Sequence, residues 1–454
     1  MMIERFISDY ASATEAPHKQ DVYFDTASVL HATACTTAWS DEQHLALEFL
    51  SKRLEISRCL YEGYQISGNR VSSTRLSDAL QPLALALLFK DFMRLSGNQN
   101  MTDAVKRLNG VLKLLDTLRE ENIAIEPALA TLIKAQAEQF LAALQPANPP
   151  LPEAVSHVAT TLTPRTLPIT VLFWEGPIAR AYLATLNSQG LKPERIIHLV
   201  SKNDLVTRKP LGRFLPGSLK LAYAQSRQKN SIHHWASTLR KTEPALYLSI
   251  RSTVESKLHF SEQTINDALA LADLSEYSEN VEALMIESLS DDTLYKRLLE
   301  LSQTQVLFTG GGIVPKRLLE IPTLKFIHIH PGHLPEVRGA DCVLWSHLMK
   351  GRTSATCFYM APGIDDGDTI LASYLPRLIP QLDTPQRDTK TLYRATYAFL
   401  DPWVRAFVLQ QALIATEGFT QVNAEPQVEY AAVTYHFMHA QIQQSVFTRL
   451  FAEE

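Results

Sequence analysis

The stretch LPITVLFWEGPIARAYLATL, residues 167–186, decides the fold class. It opens with a run rich in β-branched and aromatic side chains, turns at Gly176-Pro177, and continues with helical spacing of its apolar residues. ERIIHLVS, residues 194–201, follows as a second strand, so the segment reads as the opening βαβ unit of a doubly wound sheet. Toward the C-terminus the alternation weakens over 204–280, which holds scattered helical pieces and the adjacent His233 and His234, read as surface or packing residues. It resumes at VEALMIES (281–288) as a strand. SDDTLYKRLLELS (290–302) is a helix, with Ser290 as N-cap and Leu294, Leu298 and Leu301 on one face. QVLFTGGGIVP (305–315) and TLKFIHIHPG (323–332) are strands running into loops, and GADCVLWSHLMKG (339–351) is a helix. TSATCFYMAPGIDDGDTI (353–370) is a strand entering a tight acidic loop, and ILASYLP (370–376) is a last strand.

Toward the N-terminus the pattern changes. Leu47, Leu50 and Leu54, then Leu108, Val111, Leu112, Leu115 and Leu118, recur at spacings of three and four, which predicts an all-helical N-terminal domain over 1–150. QPANPPLP (145–152) cannot continue a helix and marks the boundary. A catalytic α/β domain is expected over 151–376, and 377–454 is expected to be a mostly helical C-terminal extension packing on it. Within that extension EYAAVTYHFMHAQIQQSVFTRLF (429–451) alternates at Val433, Tyr435 and Phe437, predicting a strand before a helical finish. His436 and His439 are read there as packing residues ahead of acceptor contacts.

Composition narrows the function classes. With 46% hydrophobic residues, 20% charged residues and a net charge of −5, the chain has no electrostatic footprint for nucleic acid or anionic membrane. Small molecules or proteins are the expected partners. Cys35, Cys59, Cys342 and Cys357 are far apart and form no CxxC pair, so neither a disulfide framework nor a zinc ribbon is expected, and a reducing cytoplasm is the expected location. The N-terminal MMIERFISDYASATEAP has no secretory apolar run, and PLALALLF is too short to span a bilayer.

The chemistry concentrates in FIHIHPGHLPEVRG, residues 326–339. In a strand Phe326, His328 and His330 share one face, and His330-Pro331-Gly332 stands at the carboxyl end, where open parallel sheets bind ligands. Three readings are open: two core histidines satisfying each other or nearby carbonyls; a metal site completed by His333 with Asp365 or Asp341; or acid–base chemistry with a carboxylate from APGIDDGD, namely Asp365, Asp366 or Asp368.

The order FTGGGIVPKRLLEIP, FIHIHPGHLPEVRGAD, a helix ending in KG, and TSATCFYMAPGIDDGDTIL resembles the catalytic domain of the 10-formyltetrahydrofolate-dependent formyltransferases. The resemblance begins weakly at Ile169 and is specific from Val281 to Leu375. It implies a Rossmann-like domain in which His330 is the catalytic histidine and Asp365 the catalytic aspartate, with Asp366 and Asp368 in supporting places and no metal. His328 stands where the family has an asparagine whose amide stabilises the oxyanion, and a neutral imidazole in the right tautomer supplies such a donor. The resemblance further implies that backbone of Gly311, Gly312, Ile313 and Val314 lies against the pterin of 10-formyltetrahydrofolate, and that Arg338 and Gly339 face the substrate. The expected reaction is formyl transfer to a small-molecule amine, with hydrolysis of the donor or ligand binding without catalysis as alternatives. No nucleic-acid or membrane partner is expected, and the N-terminal helices are the expected means of any homo-oligomer.

Overall fold

The computed structural model describes residues 81–125, 127–151, 165–212, 214–382 and 387–451. Leu47, Leu50, Leu54, Cys35 and Cys59 lie outside the described residues. The chain divides into two compact units: one of the described residues up to Gln145 together with Tyr435–Ser445, the other of Pro146–Thr434 with Val446–Glu454.

The first unit contains helices Gln81–Gly97, Met101–Glu120 and Pro127–Ala143. The Asn100 side chain accepts from the Asp103 amide and caps the second helix. That helix buries the predicted stripe Leu108, Val111, Leu112, Leu115 and Leu118. Phe92 of the first helix meets Phe140 of the third edge to face, centroids 5.1 Å apart. Residues 435–445 were expected to pack on the α/β domain, but they group with these helices. The physical reason is a pair of buried polar side chains: Asn109 donates to the Phe437 carbonyl at 3.1 Å and accepts from the His439 amide at 2.8 Å, and the Lys113 ammonium also donates to the Phe437 carbonyl. His439 pairs with Asp116 at 2.8 Å. The predicted strand shortens to Thr434–Tyr435, and the helical finish is Ala440–Leu450.

The second unit is a seven-stranded, mostly parallel sheet with flanking helices, a Rossmann-like α/β fold. Its strands are β1 (Arg165–Trp174), β2 (Leu191–Ser201), β3 (Val281–Ile286), β4 (Thr304–Phe308), β5 (Leu324–His330), β7 (Ser354–Tyr359) and β8 (Thr369–Tyr374); β6 (Arg338–Gly339) lies outside it. The order is β3-β2-β1-β4-β5-β7-β8. β3, β2, β1, β4 and β5 pair in parallel, and β7 runs antiparallel to both of its neighbours, β5 and β8. The central strands carry unbroken apolar runs because both sheet faces are covered: Val171, Leu172 and Phe173 of β1 are all fully buried. Helix Pro177–Ser188 connects β1 to β2, and the chain then returns past β1 to β4.

The weakly patterned 204–280 forms helices Gly217–Thr242, Pro244–Leu258 and Glu262–Ala270. His233 is buried and bonded to Glu175 at 2.9 Å, while His234 is exposed. Burial pushes the Glu175 carboxyl up, but hydrogen bonds from His233 and Arg180 outweigh it and hold it down to about 2. The cap of helix Asp292–Leu299 is Asp291, one residue beyond the expected Ser290: its carboxylate accepts from the Thr293 amide at 2.8 Å and also holds Lys202 at 2.8 Å. Cys342 and Cys357 are buried free thiols. Among the described residues no helix is long and apolar enough to cross a membrane.

Candidate active site

β5 ends at His330, and its antiparallel pairing with β7 sets His328 opposite Phe358 and His330 opposite Thr356. Thr356 fastens the loop beyond the strand, donating to the Gly332 carbonyl at 2.7 Å and accepting from the Leu334 amide at 3.0 Å. Gly332 is required here. A Cβ would meet the Val337 carbonyl and stand 2.8 Å from the His330 Nε2.

His330 is 2% exposed, and both of its ring nitrogens face acceptors: Nδ1 lies 3.2 Å from the Asp365 Oδ1, and Nε2 lies 2.9 Å from the Val337 carbonyl. The other Asp365 oxygen accepts from the Gly339 amide at 2.8 Å. Burial pushes the Asp365 carboxyl up, but His330 and the Gly339 amide outweigh it and hold it far below the usual carboxylate range. It therefore stays ionised against the imidazole at neutral pH.

The loop carrying Asp365 is a tight turn, with Asp365 itself left-handed at φ 51°. Gly367, at φ +120°, lies directly against the Tyr359 carbonyl, where no side chain fits. Gln427 spans the loop, donating to the Asp365 carbonyl at 3.1 Å and the Gly367 carbonyl at 2.8 Å, and it accepts from Arg338 at 2.8 Å. Asp366 lies 3.9 Å from Arg338. Asp368 contributes its carbonyl to the Tyr359 amide at 2.9 Å.

His328 is partly buried between aromatic rings, with centroid distances of 5.8 Å to Phe308 and 6.1 Å to Phe358. Its Nδ1 lies 3.2 Å from the Phe308 carbonyl. Burial lowers its pKa to about 4, and the Arg405 guanidinium adds to that, so the ring is neutral at pH 7. Arg405, on helix Asp401–Ala415, donates to the Ile329 carbonyl at 3.0 Å, between the two histidines, and pairs with Asp401 at 2.9 Å.

The structure thus brings His330, Asp365 and Gly339 into one constellation, with His328 on the same strand face. Arg338 and Gly339 hold the acidic loop: the guanidinium goes to Gln427, and the Gly339 amide goes to the Asp365 carboxylate. In the glycine loop Gly311 and Gly312 are exposed and Ile313 is 67% exposed, whereas Val314 is buried in the core with Val306, Phe308 and Leu318. His333 stacks on Tyr374 at 4.4 Å and 11°. Among the described residues no group of three or more His, Cys, Asp or Glu could hold a metal ion. Sequence reasoning missed Thr356, Arg405 and Gln427. Thr356 carried a usable signal, as a polar residue in an otherwise buried strand.

The buried histidines predict an acid-labile fold. His198, His328 and His347 are each lowered to about 4, first by burial. The unfolded chain protonates near 6.5, so below that pH it binds more protons than the folded one. The stabilisation is whole above about pH 6.5 and drains away as pH falls toward 4. Urea melts should lose several kcal/mol between pH 7.5 and 5; a midpoint that stays constant over that range would refute it.

No protein-family model matches the chain. It is 33% identical over 102 residues to methionyl-tRNA formyltransferase of Syntrophus aciditrophicus, covering 22% of this chain and 32% of that protein. It is 43% identical over 68 residues to methionyl-tRNA formyltransferase of Clostridioides difficile, covering 14% and 22% respectively. The chain therefore spans about a third or less of the length of these relatives. A solved N-formyltransferase from Helicobacter canadensis, in complex with folinic acid and dTDP-3-aminofucose, matches 62% of this chain and 80% of its own at 13% identity, with a TM-score of 0.32.

Proposed function

We propose, from the premise that this chain belongs with the formyltransferases, that it moves a formyl group from 10-formyltetrahydrofolate to the amine of a small-molecule acceptor. The observation that carries the reading is the His330–Asp365 contact at 3.2 Å, at the carboxyl end of β5 and beside the neutral His328. Formyl transfer between nitrogens passes through a tetrahedral intermediate. The acceptor nitrogen bonds to the formyl carbon, the carbonyl oxygen takes up negative charge, and the bond from that carbon to N10 breaks as N10 takes a proton. The reaction needs an oxyanion donor and a group that relieves the amine of its proton.

His330 suits the first need. Asp365 fixes the Nδ1 side, and Nε2–H is spent on the Val337 carbonyl, a neutral partner that a developing oxyanion would outcompete because charge-assisted hydrogen bonds are roughly twice as strong. The donor's pterin is assigned to the exposed backbone of Gly311, Gly312 and Ile313. An added Cβ at either glycine meets nothing within 4 Å, so a flat ring has room to approach the peptide groups. Val314 holds that loop to the core.

Incubating the purified chain with 10-formyltetrahydrofolate and a panel of primary amines, nucleotide-linked amino sugars among them, should release tetrahydrofolate in an amine-dependent manner. Donor loss that is indifferent to amine would instead indicate a hydrolase. Folate binding without any turnover would leave only a binding module.

A further inference from the structure

We propose that His328 accepts the proton of the attacking amine through its Nε2, the reverse of the hydrogen-bond donor that the resemblance expects at this position. The proposal rests on the formyl-transfer reading and assigns a residue role within it.

The argument begins at Nδ1, 3.2 Å from the Phe308 carbonyl. A carbonyl oxygen only accepts, so this contact requires the proton to sit on Nδ1. The ring stays neutral at pH 7 and has one proton to place, so Nε2 carries a lone pair. No hydrogen bond occupies Nε2 among the described residues, and it is not a sealed, unsatisfied atom either. An oxyanion brought to that nitrogen would meet a lone pair; an amine N–H would meet an acceptor.

His330 is arranged the opposite way, with Nε2 against the Val337 carbonyl, which only accepts, and so placed to donate. Two adjacent imidazoles on one strand face thus divide into a donor and an acceptor, each fixed by a backbone carbonyl: Val337 for His330, and Phe308 for His328. The charged and titratable groups that act on His328 are Arg405, Asp365 and His330. Arg405 opposes a second proton on the ring, Asp365 favours it, and the balance leaves a base that holds a proton only briefly.

In the step itself, the acceptor's N–H bond breaks toward His328 Nε2 as the nitrogen–carbon bond to the formyl group forms. The imidazolium then returns that proton to N10 as the carbon–N10 bond breaks. No proton is gained or lost overall, and no oxidant or metal is needed.

Two measurements test this on the full chain. In 15N spectra of histidine-labelled protein near pH 7, the ring signals that vanish in His328→Asn should show a pyridine-type Nε2 and a protonated Nδ1. A protonated Nε2 would overturn the proposal without touching the formyl-transfer reading. In kinetics, His328→Asn should cut kcat by on the order of a hundredfold, because every amine must give up an N–H proton as it attacks. Folate binding should be unchanged, showing that the variant is folded, and added imidazole should restore part of the rate. If His328 were an oxyanion donor, the asparagine amide would replace it, and the loss would be small. Wild-type protein that transfers formyl to no amine would overturn the formyl-transfer reading itself.

Discussion

His330→Ala should lower formyl transfer by on the order of a hundred- to a thousandfold, the usual cost of removing one oxyanion donor, and Asp365→Ala should do nearly as much. The reason lies in shared geometry. Asp365 spends one oxygen on His330 and the other on the Gly339 amide, so removing it frees the imidazole to turn and releases the acidic loop from its neighbour. Residues that act as one unit do not lose activity additively, so the double variant should be little worse than the worse single one. Asp365→Asn separates the two functions: it can keep the Gly339 contact through its amide oxygen while losing the charge beside His330. Fully additive losses, or an active Asp365→Ala, would show that the pair does not work together.

Gly332→Ala should also be damaging although it removes nothing. The new methyl group lands on the Val337 carbonyl and against the His330 Nε2, so either the backbone or the imidazole must give way, and both are buried. A loss of about 1–3 kcal/mol in stability is expected, together with at least a tenfold fall in transfer as the Nε2 contact is broken. Gly311→Ala is the matched control: its methyl group meets nothing within 4 Å, so the melting temperature should hold. Equal melting temperatures and equal rates for the two variants would refute the strain argument.

How much of this was readable in advance follows from the range over which each feature is encoded. The two histidines at a strand end were legible because strand alternation is local, and the acidic loop because its glycines and aspartates punctuate the chain. Ser290 and Asp291 both suit an N-cap, and only the reach of Asp291 to Lys202 favours the second. The resemblance groups the backbone of Val314 with its glycine neighbours, and it says nothing of the side chain, which belongs to the core. The proton position on His328 was not readable at all, since it depends on a carbonyl 20 residues upstream. The partner of the 435–445 segment was equally hidden, because Asn109 and Lys113 look like ordinary polar residues of a helix.

Gln427 and Arg405 give the site a dependence on distant chain. The motifs end by residue 375, yet the acidic loop hangs from a glutamine 52 positions later, and the peptide between the two histidines is gripped by an arginine 30 positions later. A fragment cut after the last motif, or a chimera that grafts only 281–375 onto another sheet, would carry every recognisable residue and still lack the clamps that aim them. For anyone transplanting or minimising this centre, the smallest portable piece reaches through Gln427.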